Sequence, residues 1–331
     1  MAKTTAVQTA RSWIERLWVR IAERGGSDAA QPGGVSPLAR VRVLADTLVS
    51  ERGEASGAVV ARELQLALAQ LSPEEQLSFF DYVATGFTPD QAKLRAAAEA
   101  YLAESGALQA QRLADAAEPP RQELLRRMNM SPSGTATLVE MRRVLLGKLR
   151  EHPELAPLDG DLHHLLSSWF NRGFLELRRI DWQTPAAVLE KLIEYEAVHE
   201  IQGWDDLRRR LAPDRRCFGF FHPALPGEPL IFVEVALTEG LAGAVQPLLE
   251  RDGGGREAEA AAQARAAKAD TAIFYSISNC QDGLRGVSFG NFLIKQVAAD
   301  LKAELPQLTS ICDLVAGARL PPLVREAFGR T

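Results

Sequence analysis

Residues 271–302 read TAIFYSISNCQDGLRGVSFGNFLIKQVAADLK, and the second half of the chain is organised around them. The apolar run Ala272–Ile277 is rich in β-branched and aromatic side chains, which predicts a buried strand. Two glycines three residues apart, Gly283 and Gly286, come next. Apolar residues then recur with helical spacing from Phe292 onward. We therefore predict a strand, a glycine-bearing loop and a helix.

The loop between this strand and this helix has the features of a phosphate site. A helix N-terminus presents backbone N–H groups, and the helix dipole adds partial positive charge there. Gly286 and Gly290 would let a pyrophosphate approach the backbone closely, and Arg285 could add a charge-assisted contact. A turn with a purely structural role would have the same pattern, so the loop alone leaves both interpretations open.

Length and composition exclude several classes of protein. The chain has 331 residues, 46% hydrophobic and 24% charged, as expected for a folded protein of two ordinary domains. The net charge of −5 argues against a nucleic-acid partner, and no apolar run is long enough to cross a membrane. Three cysteines without a CxxC pair predict a reducing, cytoplasmic location, and the spacing of the five histidines predicts no metal site.

The N-terminal part of the chain has the patterns of helices. Residues 1–37 predict an amphipathic N-terminal helix followed by a flexible linker rich in glycine. Residues 38–150 show helical spacing throughout, with helix-start signals at Ser72-Pro73 and Thr88-Pro89, and predict an all-α domain. Residues 151–204 predict a helical connector.

Strand patterns begin in the last part, residues 205–331. The runs 216–221 and 230–237 are apolar and are separated by a proline-rich turn. The segment 252–270 is charged and rich in alanine and glycine, which predicts a partly helical surface loop. Helices packed on a mostly antiparallel sheet, with a glycine-bearing loop before a helix, resemble the acetyltransferase (GNAT-like) superfamily. The predicted fold class is α+β, an all-α domain followed by a GNAT-like domain.

Longer segments resemble the malonyl-CoA decarboxylase family; they are residues 121–143, 162–182, 195–218, 220–241 and 271–297. The resemblance implies a helical domain and a GNAT-like catalytic domain. It implies the conversion of malonyl-CoA to acetyl-CoA and carbon dioxide with no metal or organic cofactor, since coenzyme A is part of the substrate. It also implies a homo-oligomer formed through the helical domain. The family's substrate-binding loop falls on Arg285, Gly286, Val287, Ser288, Phe289, Gly290 and Asn291.

The resemblance does not extend to the family's catalytic pair. That pair is a serine in a Leu-Ser-Pro-x-Pro-Gly-Phe motif and a later histidine, and neither finds a position in this sequence. One allowed back-translation from Ile311 onward, read from its second nucleotide, gives Ser-Ala-Thr-Leu-Ser-Pro-Val-Pro-Gly-Phe. We therefore expect a frameshift after about residue 309, a truncated GNAT-like domain and impaired activity, which sequencing of codons 300–331 would test. A genuine short helix at Pro321–Phe328 is the alternative.

Other functions and roles stay open at this point. An N-acyltransferase would bind acetyl-CoA on the same loop, and a non-catalytic partner would assemble with intact decarboxylase subunits through the helical domain. Ser276 and Ser278 could contact substrate or be ordinary sheet residues, and Glu234 could face solvent or a pocket. His222 could act as a substitute acid, but a turn histidine hydrogen-bonded to backbone is the favoured interpretation. Cys280 could be a redox-sensitive thiol, but a small buried residue is the favoured interpretation.

Overall fold

The chain folds into two compact units that divide between Ser168 and Trp169. A computed structural model describes residues 36–196, 198–242, 244–250, 255–289 and 292–313. The helix and linker predicted for residues 1–37 lie outside these ranges, apart from the last two residues. The loop residues Gly290 and Asn291 and the predicted frameshifted run beyond Asp313 also lie outside them.

Helices account for all of the regular structure described in the first unit. No strand occurs among its described residues. The helices are α1 (Pro37–Val49), α2 (Glu51–Leu68), α3 (Pro73–Gly86), α4 (Gln91–Ala103), α5 (Ala107–Ala117), α6 (Pro120–Met128), α7 (Gly134–Leu146) and α8 (Ala156–Trp169), the last of which reaches the boundary between the units.

Two helix starts test the capping chemistry predicted from the sequence. At α3, Ser72 Oγ accepts a hydrogen bond from Glu75 N (3.2 Å) and the Glu75 carboxylate accepts one from Ser72 N (2.9 Å), so the predicted cap is confirmed. At α4 the cap lies two residues later than the predicted Thr88. Asp90 is the cap because its Oδ1 accepts two amide hydrogen bonds from the first turn, at 2.9 and 3.1 Å.

The core of the first unit is formed by α1, α2, α3, α6, α7 and α8. A buried ion pair between Arg121 and Asp161 joins α6 to α8, and Gln122 Nε2 donates to the same carboxylate at 2.6 Å. Each buried charge thus has a partner, as burial requires. The side chains at most 1% exposed include Leu44, Leu48, Leu64, Phe79, Leu124, Leu125, Leu138, Leu145, Leu158 and Leu162.

Helices α4 and α5 differ from the others because neither has a buried residue. They pack against each other and form what we call the α4–α5 hairpin, residues 91–117. Leu102 is 79% exposed and Leu108 58% exposed. The hairpin therefore adds no buried side chain to the core of its unit.

The turn between α6 and α7 brings two stretches of backbone unusually close. Ser133 has a left-handed conformation with φ +62°, and Gly134 begins α7 directly after it. A Cβ atom on Gly134 would lie 2.3 Å from the carbonyl oxygen of Met128 and 2.9 Å from two backbone carbons of Asn129. The position therefore has room for a hydrogen atom and not for a methyl group.

The second unit contains a five-stranded sheet in the order β1-β2-β3-β4-β5. The first three neighbouring pairs are antiparallel and the last is parallel, with a helix between its strands. This mixture of helix and sheet confirms the α+β class. The elements are β1 (Glu176–Ile180), α9 (Ala186–Tyr195), α10 (Trp204–Arg210), β2 (Arg215–Phe221), β3 (Pro229–Thr238), α11 (Gln246–Leu249), α12 (Arg256–Lys268), β4 (Thr271–Asn279), α13 (Phe292–Glu304) and β5 (Ser310–Asp313).

Some elements differ from the prediction. Strand β1 lies within residues 151–204, which were predicted to be a helical connector. Its sequence ELRRI gave no strand signal because it is an edge strand whose only buried residue is Ile180. The segment predicted as a partly helical loop, 252–270, contains the regular helix α12, which alanine favours. The helix before it, α11, is short, with only four residues.

Helices cover both faces of this sheet. On one face α9 and α10 pack on Ile180 and Cys217 in a single apolar cluster. On the other face, the Glu304 carboxylate at the end of α13 accepts hydrogen bonds from Arg179 (2.9 Å) and Arg216 (2.7 Å). These two arginines alternate with Ile180 and Cys217 along their strands, so α13 lies on the opposite face.

Candidate functional site

The predicted binding loop lies where β4 ends and α13 begins. Beyond β4, the Cys280 N–H donates to the carbonyl of Leu230 (2.9 Å), and Gln281 Nε2 donates to the carbonyl of Pro229 (3.1 Å). These hydrogen bonds continue the contact between β3 and β4 for two residues beyond the end of β4. The predicted order of strand, glycine-bearing loop and helix is confirmed.

The loop is a tight turn followed by a short irregular run. Residues Asp282–Leu284 form a single 3-10 turn, and Gly286 has φ +83°, a conformation that residues with a Cβ rarely adopt. The amides of Leu284, Arg285 and Val287 donate to carbonyls within the loop at 2.9–3.1 Å. They stabilise the turn, so a bound phosphate would depend on other donors of the loop and of the helix start.

The structure describes five of the seven predicted binding residues and brings them together before α13. Arg285 and Ser288 are exposed, Phe289 is half-buried and Val287 is buried. The Arg285 guanidinium lies 3.1 Å from the Asp282 carboxylate, and both side chains are about 70% exposed. Because solvent weakens an exposed ion pair, an anionic ligand could compete with Asp282 for the Arg285 guanidinium.

A cluster of polar side chains lies on the face of the sheet that α9 and α10 cover. The strand register pairs Cys217 with Glu234, and Glu234 with Ser276, so these side chains stand in a row on one face. Ser278 follows on the same face two residues further along β4. Glu234, Ser276 and Ser278 are all at most 1% exposed. Glu234 therefore does not face solvent, which excludes one of the two positions considered for it.

Arg210 and Glu234 form a buried ion pair in this group. Arg210 donates to Glu234 Oε2 at 2.6 Å, and to the carbonyl of His199 at 3.0 Å. Its guanidinium also lies 5.8 Å from the centre of the Tyr275 ring. Desolvation raises the pKa of Glu234 to about 7, against the lowering effect of Arg210. Burial therefore makes this carboxyl group harder to ionise than an ordinary glutamate.

Glu196, just after α9, is the second buried carboxylate of the group. It accepts hydrogen bonds from Ser276 Oγ at 2.6 Å and from Ser278 Oγ at 2.8 Å. It also accepts from the amides of Val198 (3.0 Å) and His199 (2.8 Å). Both serine hydroxyls are thus engaged with Glu196, which favours the sheet role considered for them over contact with a substrate.

The roles predicted for His222 and Cys280 are confirmed. His222 Nδ1 accepts a hydrogen bond from Ala224 N (3.1 Å), and its ring lies 4.6 Å from the ring of Phe170. Desolvation lowers the pKa of His222 and therefore favours its neutral form. Cys280 is buried, and desolvation raises the pKa of its thiol above the ordinary value. Neither side chain has the electrostatic setting of an activated acid or nucleophile.

Comparison with known proteins connects both units to one family. Residues 87–170 match the family model for the malonyl-CoA decarboxylase N-terminal domain, and residues 173–324 match the one for its C-terminal domain. The crystal structure of malonyl-CoA decarboxylase from Agrobacterium vitis is 48% identical, with a TM-score of 0.75 over 87% of this chain and 67% of that one. The chain belongs to the malonyl-CoA decarboxylase family. The structure of the Rhodopseudomonas palustris enzyme is equally similar, with 50% identity and a TM-score of 0.75 over 85% of this chain and 66% of that one.

Curated members of the malonyl-CoA decarboxylase family include longer proteins. The mitochondrial malonyl-CoA decarboxylase of Anser anser anser is 40% identical over 200 residues, which are 59% of this chain and 38% of that protein. The Mus musculus protein of the same name is 40% identical over 207 residues, 61% of this chain and 41% of the relative. The chain thus spans about two fifths of the length of these relatives.

The contacts that join the buried polar side chains of this face could not be predicted from the sequence. These side chains are Glu196, Arg210, Glu234, Ser276 and Ser278. One signal could have indicated them, because Glu234 interrupts the apolar run LIFVEVAL in the middle of a predicted core strand. A charge on a buried strand needs a partner. Its partner Arg210 lies 24 residues away, and no local pattern identifies that residue among the arginines of α10.

Proposed function

We propose that the chain binds malonyl-CoA and acetyl-CoA through the loop Arg285–Asn291 and acts in the decarboxylation of malonyl-CoA. The observation that carries this proposal is the strand–loop–helix geometry of β4 and α13 in a chain of the malonyl-CoA decarboxylase family. We propose a GNAT-like fold for the second unit, supported by the antiparallel strands β1 to β4 and the helical crossover to a parallel β5.

The proposed reaction requires little chemical equipment. When the bond to the carboxylate breaks, carbon dioxide leaves and the electron pair moves into the thioester carbonyl, forming an enolate. The enolate then takes up a proton at carbon to give acetyl-CoA. The protein must provide donors for the developing oxyanion, a proton for the new methyl group and a dry site. We assign no residue of this sequence to the family's serine and histidine, and Ser276 and Ser278 are engaged with Glu196.

Substitution of Arg285 tests the coenzyme A site. We expect Arg285→Ala to weaken coenzyme A binding about tenfold, because the exposed guanidinium can make a charge-assisted contact with a phosphate. Arg256→Ala is the matched control, since Arg256 is an exposed arginine of the same unit on α12. Titration calorimetry of the two variants and the unaltered chain measures both affinities. Equal affinities in all three proteins would contradict the role of Arg285.

The reaction itself is tested with malonyl-CoA. Release of carbon dioxide and formation of acetyl-CoA by the purified chain would support the decarboxylase proposal. Coenzyme A binding with neither product would leave the loop as a binding site and remove the reaction from the proposal. Transfer of an acetyl group from acetyl-CoA to an amine would favour the N-acyltransferase instead.

We also propose that the chain self-associates through the α4–α5 hairpin. This rests on the family resemblance and on the absence of any buried side chain in the two helices, which leaves Leu102 and Leu108 open to a second copy. A double substitution to aspartate at Leu102 and Leu108 is expected to reduce the particle mass to that of the monomer. Leu66→Asp is the control, because Leu66 is 48% exposed on α2 of the same unit. Light scattering after size-exclusion chromatography measures the mass, and an unchanged oligomer would rule out this interface.

We propose a cytoplasmic location, supported by the cysteines. Cys217, Cys280 and Cys312 are free thiols, and the first two are buried. Free thiols persist where the compartment is reducing. No helix in the described residues has the length and apolar character needed to cross a membrane.

A further inference from the structure

Glu196 connects two segments of the second unit that are 80 residues apart in sequence. Its residue is 5% exposed, and its carboxylate accepts hydrogen bonds from Ser276 and Ser278 on β4. The same carboxylate accepts hydrogen bonds from the backbone amides of Val198 and His199. We propose that Glu196 is a positioning residue, which ties the segment 196–203 to the end of β4 and thereby holds the loop 281–289 in place.

The chemistry of this contact indicates a rigid joint. A buried carboxylate is costly unless several donors compensate for its lost hydration. Glu196 has two hydroxyl donors and two amide donors, at 2.6–3.0 Å. Ser276 and Ser278 are two residues apart on a strand, so both hydroxyls point to the face on which Glu196 lies. The strand cannot shift by one residue without losing both of them.

A second set of contacts holds the same segment from α10. Arg210, already paired with Glu234, donates to the carbonyl of His199 at 3.0 Å. The Asp206 carboxylate accepts the amide of Gln202 at 3.1 Å. Glu196 and residues 198–203 are therefore held by hydrogen bonds to the sheet and to α10, and they provide a fixed support for the end of β4.

Only two residues separate Ser278 from the loop. The Cys280 amide and the Gln281 side chain each donate a hydrogen bond to a backbone carbonyl of β3. The 3-10 turn begins at the next residue, Asp282. Because the connection is short and hydrogen-bonded to β3, a displacement of Ser278 is expected to strain these bonds. A change at Glu196 should therefore reach the amides of the turn, and coenzyme A affinity should change if the proposed function is correct.

Hydrogen–deuterium exchange of the ligand-free chain tests the positioning role directly. We expect Glu196→Ala to speed exchange about tenfold or more in peptides covering 280–287, at temperatures well below the melting point of each variant. Glu196→Gln should stay close to the unaltered chain, because the amide oxygen still accepts hydrogen bonds and its nitrogen can donate to a serine hydroxyl. Glu200→Ala is the matched control, since Glu200 is an exposed carboxylate of the same segment.

The double variant Ser276→Ala/Ser278→Ala provides a second route if Glu196→Ala does not fold. It removes both ties to β4 and leaves the amide contacts of Glu196 intact, so the same faster exchange in 280–287 is expected. Faster exchange confined to 196–203 in Glu196→Ala, or no change in 280–287 in the serine variant, would overturn the proposal.

Coenzyme A affinity separates this inference from the proposed function on which its last step rests. We expect Glu196→Ala to raise the dissociation constant about tenfold and Glu196→Gln to restore it. If the unaltered chain does not bind coenzyme A, the proposed function fails, and the exchange data still decide whether Glu196 positions the loop. If the chain binds and Glu196→Ala binds equally well, the positioning role fails and the proposed function stands.

Discussion

Replacing Arg210 with methionine is expected to lower the free energy of unfolding of the second unit by about 3–5 kcal/mol. The substitution keeps an apolar chain of similar length but leaves the Glu234 carboxylate, which is fully buried, without its cation. It also removes the donor to the carbonyl of His199. Chemical denaturation followed by circular dichroism measures the loss.

Two further variants test whether the loss comes from an unpaired charge. Arg210→Met combined with Glu234→Leu should recover the part of the stability that is lost through the unpaired Glu234, because replacing both partners of a buried ion pair by apolar groups is often neutral. The part that comes from the contacts of Arg210 with the Asp206 carboxylate and the His199 carbonyl should stay lost. Arg208→Met, at an exposed arginine of the same helix, should change stability by less than about 1 kcal/mol. A single-variant loss below about 1 kcal/mol for Arg210→Met would mean that the pair contributes little.

The same carboxyl group predicts a pH dependence with a definite sign. The pKa of Glu234 is raised from the ordinary 4.5 to about 7 in the folded chain. Between these two pH values the folded state therefore holds a proton that the unfolded state has lost. Its contribution to stability therefore decreases as the pH rises from about 4.5 to about 7 and levels off above that. Glu234→Gln should remove this component, which appears as the difference between two denaturation series from about pH 5 to 8.

The second large effect is expected at Gly134, where Gly134→Ala should destabilise the first unit by about 3 kcal/mol. The added methyl group would lie 2.3 Å from the carbonyl oxygen of Met128, and that oxygen belongs to the backbone. No rotation of a side chain can relieve such a contact, so α6 and α7 must move apart. Thermal and chemical denaturation of the two proteins measure the difference.

Gly160→Ala provides the control of opposite sign. Gly160 lies inside α8 of the same unit, and a Cβ there meets no atom within 4 Å. Alanine has a higher helix propensity than glycine, so the free energy of unfolding should rise by about 0.5–1 kcal/mol. If both variants lost stability equally, the close approach at Gly134 would not be the cause.

Local patterns were sufficient for the elements with a strong period. The segment 271–304 has an apolar run, a loop with three glycines and then helical spacing, and each feature depends only on near neighbours in sequence. The cap at Ser72 was predictable for the same reason, since both partners lie within three residues. Strand β1 was not, because an edge strand with one buried residue is stabilised by its backbone pairing with β2.

The sequence by itself determined the family, the strand–loop–helix that carries the candidate coenzyme A loop, and the presence of a few polar side chains within the apolar core strands. The tertiary structure decided what those polar groups do. Glu234 was equally compatible with solvent or a pocket until Arg210 was found 2.6 Å away, and Ser276 and Ser278 acquired a role only through Glu196. The physical reason is that burial makes a polar group depend on its partner, and these partners lie 24 to 82 residues away along the chain.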